Sequence, residues 1–220
     1  MKIWVVIPAY NEEANLGNIL DQLRKKEVST LVIDDGSADN TYQVAEKKAD
    51  SLIRNEKNLG KGMSLSKGIE YVSKNKDADY VITMDADGQH SVSDIDKFLD
   101  EAKRGEYFVV GNRMTNPQGM PKIRVITNKF MSWLISKKVA QKIPDTQCGF
   151  RLIRRELLEK IIIRTNKFEI ESETIIKASR LGFPIKSIPV KSIYFKNQRS
   201  NIHPFLDTLR FIRFIFQPGK

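Results

Sequence analysis

The stretch Tyr80-Val81-Ile82-Thr83-Met84-Asp85-Ala86-Asp87-Gly88-Gln89-His90 decides how the chain is read. It begins as a β-branched apolar run, the mark of a buried strand. It then breaks into two carboxylates one residue apart, followed by a glycine, an amide and an imidazole. Side chains alternate along an extended segment, so Asp85 and Asp87 point the same way while Ala86 faces back into the core. Two hard oxygen ligands at the mouth of a buried strand suit Mg²⁺ or Mn²⁺, which take a few carboxylates and complete their shell with phosphate and water. Asp and Gly are also ordinary turn residues. The pair alone therefore reads equally as a strand end running into a turn, and its neighbours decide.

Towards the N-terminus, Ile3-Trp4-Val5-Val6-Ile7 is an uninterrupted apolar strand of the kind used by a parallel sheet covered on both faces. Pro8 ends it, and Ala9-Tyr10-Asn11-Glu12-Glu13 lead into a helix. Leu16, Ile19, Leu20 and Leu23 recur at i, i+3, i+4 and i+7 and mark that helix's buried face. A second strand, Leu31-Val32-Ile33, runs into Asp34-Asp35-Gly36-Ser37, and Asp39-Asn40-Thr41 open the next helix. A third near Ser51-Leu52-Ile53 precedes Asn58-Leu59-Gly60-Lys61-Gly62 and another helix. Strand alternating with helix predicts an α/β fold, a doubly wound and mostly parallel central sheet with flanking helices. Such sheets bind ligands beyond the carboxyl ends of their strands.

Three strand ends carry polar clusters: Tyr10 with Glu12, Asp34 with Asp35, and Asp85 with Asp87. Each has a plainer reading. Tyr10 fits a core aromatic, Glu12 a helix-start carboxylate favoured by the macrodipole, and Asp34 a turn cap. Their coincidence on successive strands points instead to a nucleotide and a metal. Gly60-Lys61-Gly62 lacks the spacing of a phosphate-cradling P-loop, and Leu65 stands where a dinucleotide fingerprint needs its third glycine. Carboxylates and a metal are then what hold the nucleotide.

With 220 residues the chain makes one core-bearing domain with appendages, and its formal charge of +10 calls for an anionic partner. The lysines are scattered and neither a reading helix nor an aromatic RNA platform is present, which excludes nucleic acid. A glycine-rich, lysine-containing opening after the first strand, expected of a sugar-phosphate nucleotidyltransferase, is missing. The single cysteine, Cys148, fits a reducing compartment and a buried small side chain. The N-terminus enters a strand without a signal-peptide pattern, and no run reaches the roughly 18 apolar residues of a membrane span.

Further along, the strand Tyr107-Phe108-Val109-Val110 leads to Gly111-Asn112-Arg113 and a loop with Pro117, Gly119 and Pro121, placed to close over a ligand. The helix expected from about Lys122 to Val139 carries an apolar stripe of Ile126, Phe130, Trp133 and Leu134, widened by Val125, Met131 and Ile135. Lys122, Arg124, Lys129, Lys137 and Lys138 border it. A wide apolar face edged with cations is the pattern of a helix lying in a membrane interface; packing on the sheet is the alternative. Residues 197–220 repeat the theme as a basic, aromatic amphipathic segment after a domain at 1–196. There Phe205, Leu206, Leu209, Phe211, Ile212, Phe214, Ile215 and Phe216 leave only a narrow strip of Asp207, Arg210 and Arg213. A membrane surface or a homodimer interface would cover such a face. With the chain stopping at Lys220, the expectation is a cytoplasmic protein attached peripherally to the inner face of the membrane.

Taken together, Ile7-Pro8-Ala9-Tyr10-Asn11-Glu12-Glu13, Asp34-Asp35-Gly36-Ser37, Gly60-Lys61-Gly62, Asp85-Ala86-Asp87-Gly88-Gln89-His90, Gly111-Asn112-Arg113, Asp145-Thr146-Gln147-Cys148-Gly149-Phe150-Arg151 and Phe168-Glu169-Ile170-Glu171 resemble a family 2 glycosyltransferase of the GT-A fold. Within that family the chain is most similar to dolichyl-phosphate mannose synthases and bacterial polyprenyl-phosphate glycosyltransferases. The resemblance runs from residue 3 to about 195, and its seven motifs fall in order.

The resemblance implies an inverting transfer of a hexose from a UDP- or GDP-linked donor to a polyprenyl or dolichyl phosphate. It implies that Pro8, Tyr10, Glu12, Asp35, Lys61 and Asp85 contact the nucleotide sugar, with Asp35 on the base. It implies that Asp85, Asp87 and Gln89 hold Mg²⁺ or Mn²⁺ against the diphosphate. On the acceptor side it implies Arg113, Arg124, Asn128, Gln147, Arg151 and Arg199, with Asp87, Asp145, Arg113 and Arg124 as the catalytic set. Arginine suits phosphate because its planar fork donates two parallel hydrogen bonds. A phosphate acceptor, largely ionised at neutral pH, needs no strong base. A soluble or saccharide hydroxyl acceptor, the alternative, would need one, and Asp145 is the candidate. Glu171 is expected to orient this acceptor side. His90 reads as a residue that shapes the loop rather than as a ligand or acid.

Overall fold

A computed structural model describes residues 1–161 and 170–194. It shows one seven-stranded sheet. In chain order the strands are β1 (Ile3–Ala9), β2 (Ser29–Asp34), β3 (Ser51–Arg54), β4 (Tyr80–Thr83), β5 (Phe108–Asn112), β6 (Arg151–Arg154) and β7 (Ile185–Pro189). Across the sheet they lie as β3-β2-β1-β4-β6-β5-β7. β1 pairs in parallel with β2 and β4, β2 with β3, and β5 with β7. β6 alone runs against both its neighbours, β4 and β5.

The interval between parallel strands is filled by helices, because a parallel return needs a crossover. These are α1 (Glu13–Leu23), α2 (Thr41–Lys48), α3 (Lys61–Asn75), α4 (Ile95–Lys103), α5 (Lys122–Lys138), α6 (Arg155–Lys160) and α7 (Ile170–Arg180). β1 is covered on both faces: Val5, Val6 and Ile7 have no exposed surface, as its unbroken apolar run requires. The strand also runs on through Pro8, where the sequence predicts its end. Pro8 sits in register beside Ile33 of β2 and is buried. α1 buries Leu16, Ile19, Leu20 and Leu23, the face its spacing predicts. Each such side chain contributes about 1.5–3 kcal/mol by leaving water. α3 lies against β1 and β2 so closely that a Cβ at Gly68 would stand 2.5 Å from Ile33 Cδ1 and 2.6 Å from Val6 Cγ1. Only glycine admits that approach.

The topology has one consequence for function. Six strands deliver their carboxyl ends to one edge of the sheet, and antiparallel β6 delivers its amino end there. The 145–150 loop therefore joins the turns after β1, β2 and β4. No described helix is long and apolar enough to cross a membrane.

Candidate functional site

Tight cross-links gather the three acidic strand ends. The Asp35 amide donates to Ala9 O (2.8 Å), and the Met84 amide to Val6 O (3.1 Å), extending the β1 ladders past the strands. Asn11 adopts φ +55, a left-handed conformation that asparagine tolerates. From there its amide donates to Ser37 Oγ (3.0 Å) and its Oδ1 accepts from the Ala38 amide (2.9 Å). Glu12, half-buried, has its carboxyl pushed up by burial; an Asn15 hydrogen bond opposes this, and the charges of Asp87, Asp39 and Asp85 add to the rise. The ends of β1 and β4 thus share one electrostatic environment. Tyr10 stands 47% exposed beside them.

The aspartates of β2 divide their work. Asp34 is fully buried; its Oδ1 accepts from the Ser37 amide (3.1 Å), and its Oδ2 pairs with Arg54 Nε (3.1 Å). Asp35 is buried too. Its Oδ1 accepts from Asn55 Nδ2 (2.8 Å) and the Leu59 amide (2.9 Å), and its Oδ2 from the Gly60 amide (2.8 Å). Asp35 therefore fixes the turn that opens α3 and presents Lys61. A carboxylate offers about four acceptor positions, so one on Oδ2 remains for a ligand.

Lys61 faces Asp85. Its Nζ lies 2.8 Å from Asp85 Oδ1 and 3.0 Å from Glu171 Oε1, while His90 Nε2 lies 3.3 Å from Asp85 Oδ2. Burial alone would raise the Asp85 carboxyl, but the Lys61 ammonium and the His90 imidazole outweigh it and hold it far below the carboxylate range. Burial likewise works against the Lys61 ammonium and is overcome by Asp85 and Glu171, which raise it. Gly149 makes room: a Cβ there would stand 3.1 Å from both Asp85 oxygens and from Lys61 Nζ. Thr83 Oγ1 donates to Gly149 O (2.6 Å) and fixes the approach. His90 is buried against Phe150 with ring centroids 5.1 Å apart, and it bridges Ser192 in the segment after β7. It ties the loop after β4 to the segment after β7.

Several sequence expectations change here. Asp85, read as an open metal ligand, has both oxygens engaged by Lys61 and His90. Arg113, read as an acceptor-phosphate arginine, is buried and forks onto Asp145, Nε to Oδ2 at 2.8 Å and Nη2 to Oδ1 at 3.0 Å. The Arg113 amide also donates to Asp145 Oδ2 (3.1 Å). Asp145, read as a base for a hydroxyl acceptor, would be raised by burial, but Arg113 lowers its carboxyl further than burial raises it. Held by Arg113, it is a weaker base than a free carboxylate. Arg151, read as an acceptor contact, is buried and donates to three carbonyls: Cys148 O (2.7 Å), Glu171 O (2.6 Å) and Thr146 O (2.8 Å). It staples the 145–150 loop to α7. Gln147 Nε2 donates to Thr146 Oγ1 (3.0 Å). Motif arithmetic cannot tell a buried arginine from a ligand-facing one. Cys148 is inert, its thiol pushed up to about 11 by burial.

Two acceptor-side candidates keep a different character. Arg124 is half-buried on α5 with its guanidinium carbon 5.8 Å from the Tyr194 ring. Asn128, one turn on, is 7% exposed, and its Nδ2 has no hydrogen-bond partner; neither has the buried Tyr194 hydroxyl. Tyr194 carried no sequence signal. Its place follows from β7 and from the Ile193 amide donating to Gln89 O (2.9 Å). Arg199, Phe168, Glu169 and the segment 197–220 lie outside the described residues.

The donor set suits a hard divalent cation. Asp87 supplies a carboxylate whose Oδ1 accepts from the Gln89 amide (2.9 Å), and Gln89 supplies an amide oxygen; Glu171, beside Lys61, leaves Oε2 as a buried acceptor without a partner. Among the described residues no three acidic, histidine or cysteine side chains converge. Such an ion would then take its remaining ligands from diphosphate and water.

Residues 4–162 match the family model described as glycosyl transferase family 2. An uncharacterized protein of Methanocaldococcus jannaschii is 34% identical over 200 residues, covering 88% of this chain and 82% of its own. The UDP-N-acetylglucosamine–dolichyl-phosphate N-acetylglucosaminyltransferase of Methanococcus voltae is 29% identical over 216 residues, covering 87% and 86%. Among solved structures, glucosyl-3-phosphoglycerate synthase of Mycobacterium tuberculosis, in complex with Mn²⁺, uridine diphosphate and phosphoglyceric acid, superposes with a TM-score of 0.73 at 21% identity, covering 96% of this chain and 76% of that one. That likeness establishes the architecture as GT-A.

Proposed function

This chain belongs to glycosyl transferase family 2 and is a glycosyltransferase of the GT-A fold; from that premise we propose that it moves a hexose from a nucleotide sugar to a polyprenyl phosphate at a membrane surface. The observation that carries the reading is the meeting of the acidic ends of β1 and β4 with Lys61 and Gly149 at one sheet edge, beside a helix that exposes an apolar stripe. The acceptor class is supported by the similar Methanococcus voltae enzyme, whose name specifies a dolichyl phosphate.

In this reading Tyr10 and the free Oδ2 position of Asp35 receive the base, and Lys61 meets the diphosphate. Asp87 and Gln89 would hold Mg²⁺ or Mn²⁺, a reading supported by the similar Mycobacterium tuberculosis structure, which holds Mn²⁺ with uridine diphosphate; such an ion would neutralise charge developing on the leaving diphosphate. The acceptor phosphate takes donors from Arg124, Asn128 Nδ2 and Tyr194 Oη, the last two buried without partners. Its oxygen attacks the anomeric carbon as the nucleoside diphosphate leaves. With a second pKa near 6, the phosphate is ionised at neutral pH and needs no base. The engagement of Asp145 with Arg113 supports this route over a hydroxyl acceptor that would use Asp145 as its base.

Ile123, Ile126, Phe130 and Trp133 are each more than 40% exposed on α5, and Lys122, Lys129, Lys137 and Lys138 flank them. That face rests on an anionic cytoplasmic leaflet and keeps the lipid tail beside its phosphate site. The test is a panel of radiolabelled UDP- and GDP-sugars with polyprenyl phosphate and Mg²⁺ or Mn²⁺. Label is expected in the organic phase with at least one donor. Label reaching only water-soluble products would overturn the reading.

A further inference from the structure

Lys61 is the ammonium of a cluster drawn from separate elements: it opens α3, Asp85 follows β4, and Glu171 lies in the first turn of α7. The Nζ distances of 2.8 Å to Asp85 Oδ1 and 3.0 Å to Glu171 Oε1 put a positive charge between two carboxylates. His90 Nε2 takes the other Asp85 oxygen at 3.3 Å. Gly149 fixes the proximity, since a Cβ there would crowd Asp85 and Lys61 alike at 3.1 Å. Glu171 is only 6% exposed, and its Oε2 is buried without a hydrogen-bond partner. Glu171 Oε2 is thus left as an acceptor without a donor, and one cation already stands among the carboxylates.

We propose that Lys61 is a resident counter-ion of the cation site, held in place by Glu171 as a positioning residue, so that the divalent ion enters only together with the donor diphosphate. This rests on the function proposed above and adds the order in which its ligands arrive. A dication approaching this strand end without a diphosphate meets the Lys61 ammonium at close range, where the effective dielectric is low. A diphosphate changes the balance. An ammonium has three N–H donors, two of which serve Asp85 and Glu171; the third turns to a phosphate oxygen. The added negative charge then outweighs the repulsion between ammonium and dication. Glu171 and Asp85 keep Lys61 beside the cleft, and the ion would settle against Asp87 and Gln89.

Mn²⁺ binding to the full chain tests this without reference to turnover, by following free Mn²⁺ in electron paramagnetic resonance. The titration is run with and without uridine or guanosine diphosphate, on the wild type, Lys61→Met and Lys61→Arg. The wild type should bind Mn²⁺ weakly alone and about ten-fold more tightly, or better, with one nucleoside diphosphate. Lys61→Met should bind Mn²⁺ alone about ten-fold more tightly than the wild type, and Lys61→Arg should behave as the wild type. Equal binding by the wild type with and without diphosphate would overturn the inference, a comparison that needs no variant to fold. So would equal binding of Mn²⁺ alone by folded Lys61→Met and the wild type. Either result leaves the proposed function standing. Failure of every form to take up Mn²⁺ even with nucleotide would instead overturn the metal-dependent donor reading, and the inference with it.

Discussion

Arg113 and Asp145 show how a residue's role depends on what lies opposite it. Both belong to motifs that resemble acceptor-site segments, yet they close on each other through two fork bonds and a backbone amide, out of water's reach. Removing one partner strands the other charge in the interior. Arg113→Ala should therefore lower unfolding free energy by about 3–5 kcal/mol in urea titrations. The double variant Arg113→Met/Asp145→Leu should recover most of that loss. The pair also has a pH signature. Arg113 holds the folded Asp145 carboxyl below its ordinary value of 3.8, so its contribution is complete above that value and lost as pH falls through the folded one. The wild type should lose stability more steeply below about pH 4 than the double variant does, measured by thermal melts across an acid series. Gly149→Ala should cost about 1–3 kcal/mol through overpacking. It should also depress transfer more than stability, because the crowded atoms are those of Asp85 and Lys61.

At the scale of elements, β6 and α5 carry the most consequence. β6 is a short strand whose reversal no local pattern announces, and it places the 145–150 loop at the ligand edge. Arg151 begins β6 and holds that loop by donating to the carbonyls of Thr146, Cys148 and Glu171. The amphipathic reading of α5 was legible because its apolar residues exceed what one buried face needs. The structure sorts them: Ile135 goes inward, Ile123, Ile126, Phe130 and Trp133 outward, and the inner face adds Arg124, Asn128 and Ser132. The stripe is largely exposed, with Phe130 and Trp133 stacked on each other at 6.2 Å. Ile126→Ser and Trp133→Ser should therefore each change unfolding free energy by no more than about 0.5 kcal/mol. Together they should abolish flotation with liposomes containing anionic lipid. Retained flotation would assign the surface to another partner.

Across the whole molecule, the winding of the sheet turns scattered acidic residues into one site. Asp87→Ala is expected to reduce transfer by about 100-fold or more while leaving the melting temperature nearly unchanged, since the residue sits half-buried at the edge. The alternation of strands and helices, the buried face of α1, the acidic strand ends and the family are all legible in the residues, because hydrophobic periodicity and turn chemistry act over a few positions. Which charged residues are satisfied inside the molecule emerges from the folded chain alone. Arg113, Asp145 and Arg151 are satisfied inside, Lys61 stands between Asp85 and Glu171, and Tyr194 joins Arg124 from the far end of the chain. An ionic side chain's fate depends on the partner it meets across the fold, at sequence separations no local pattern records.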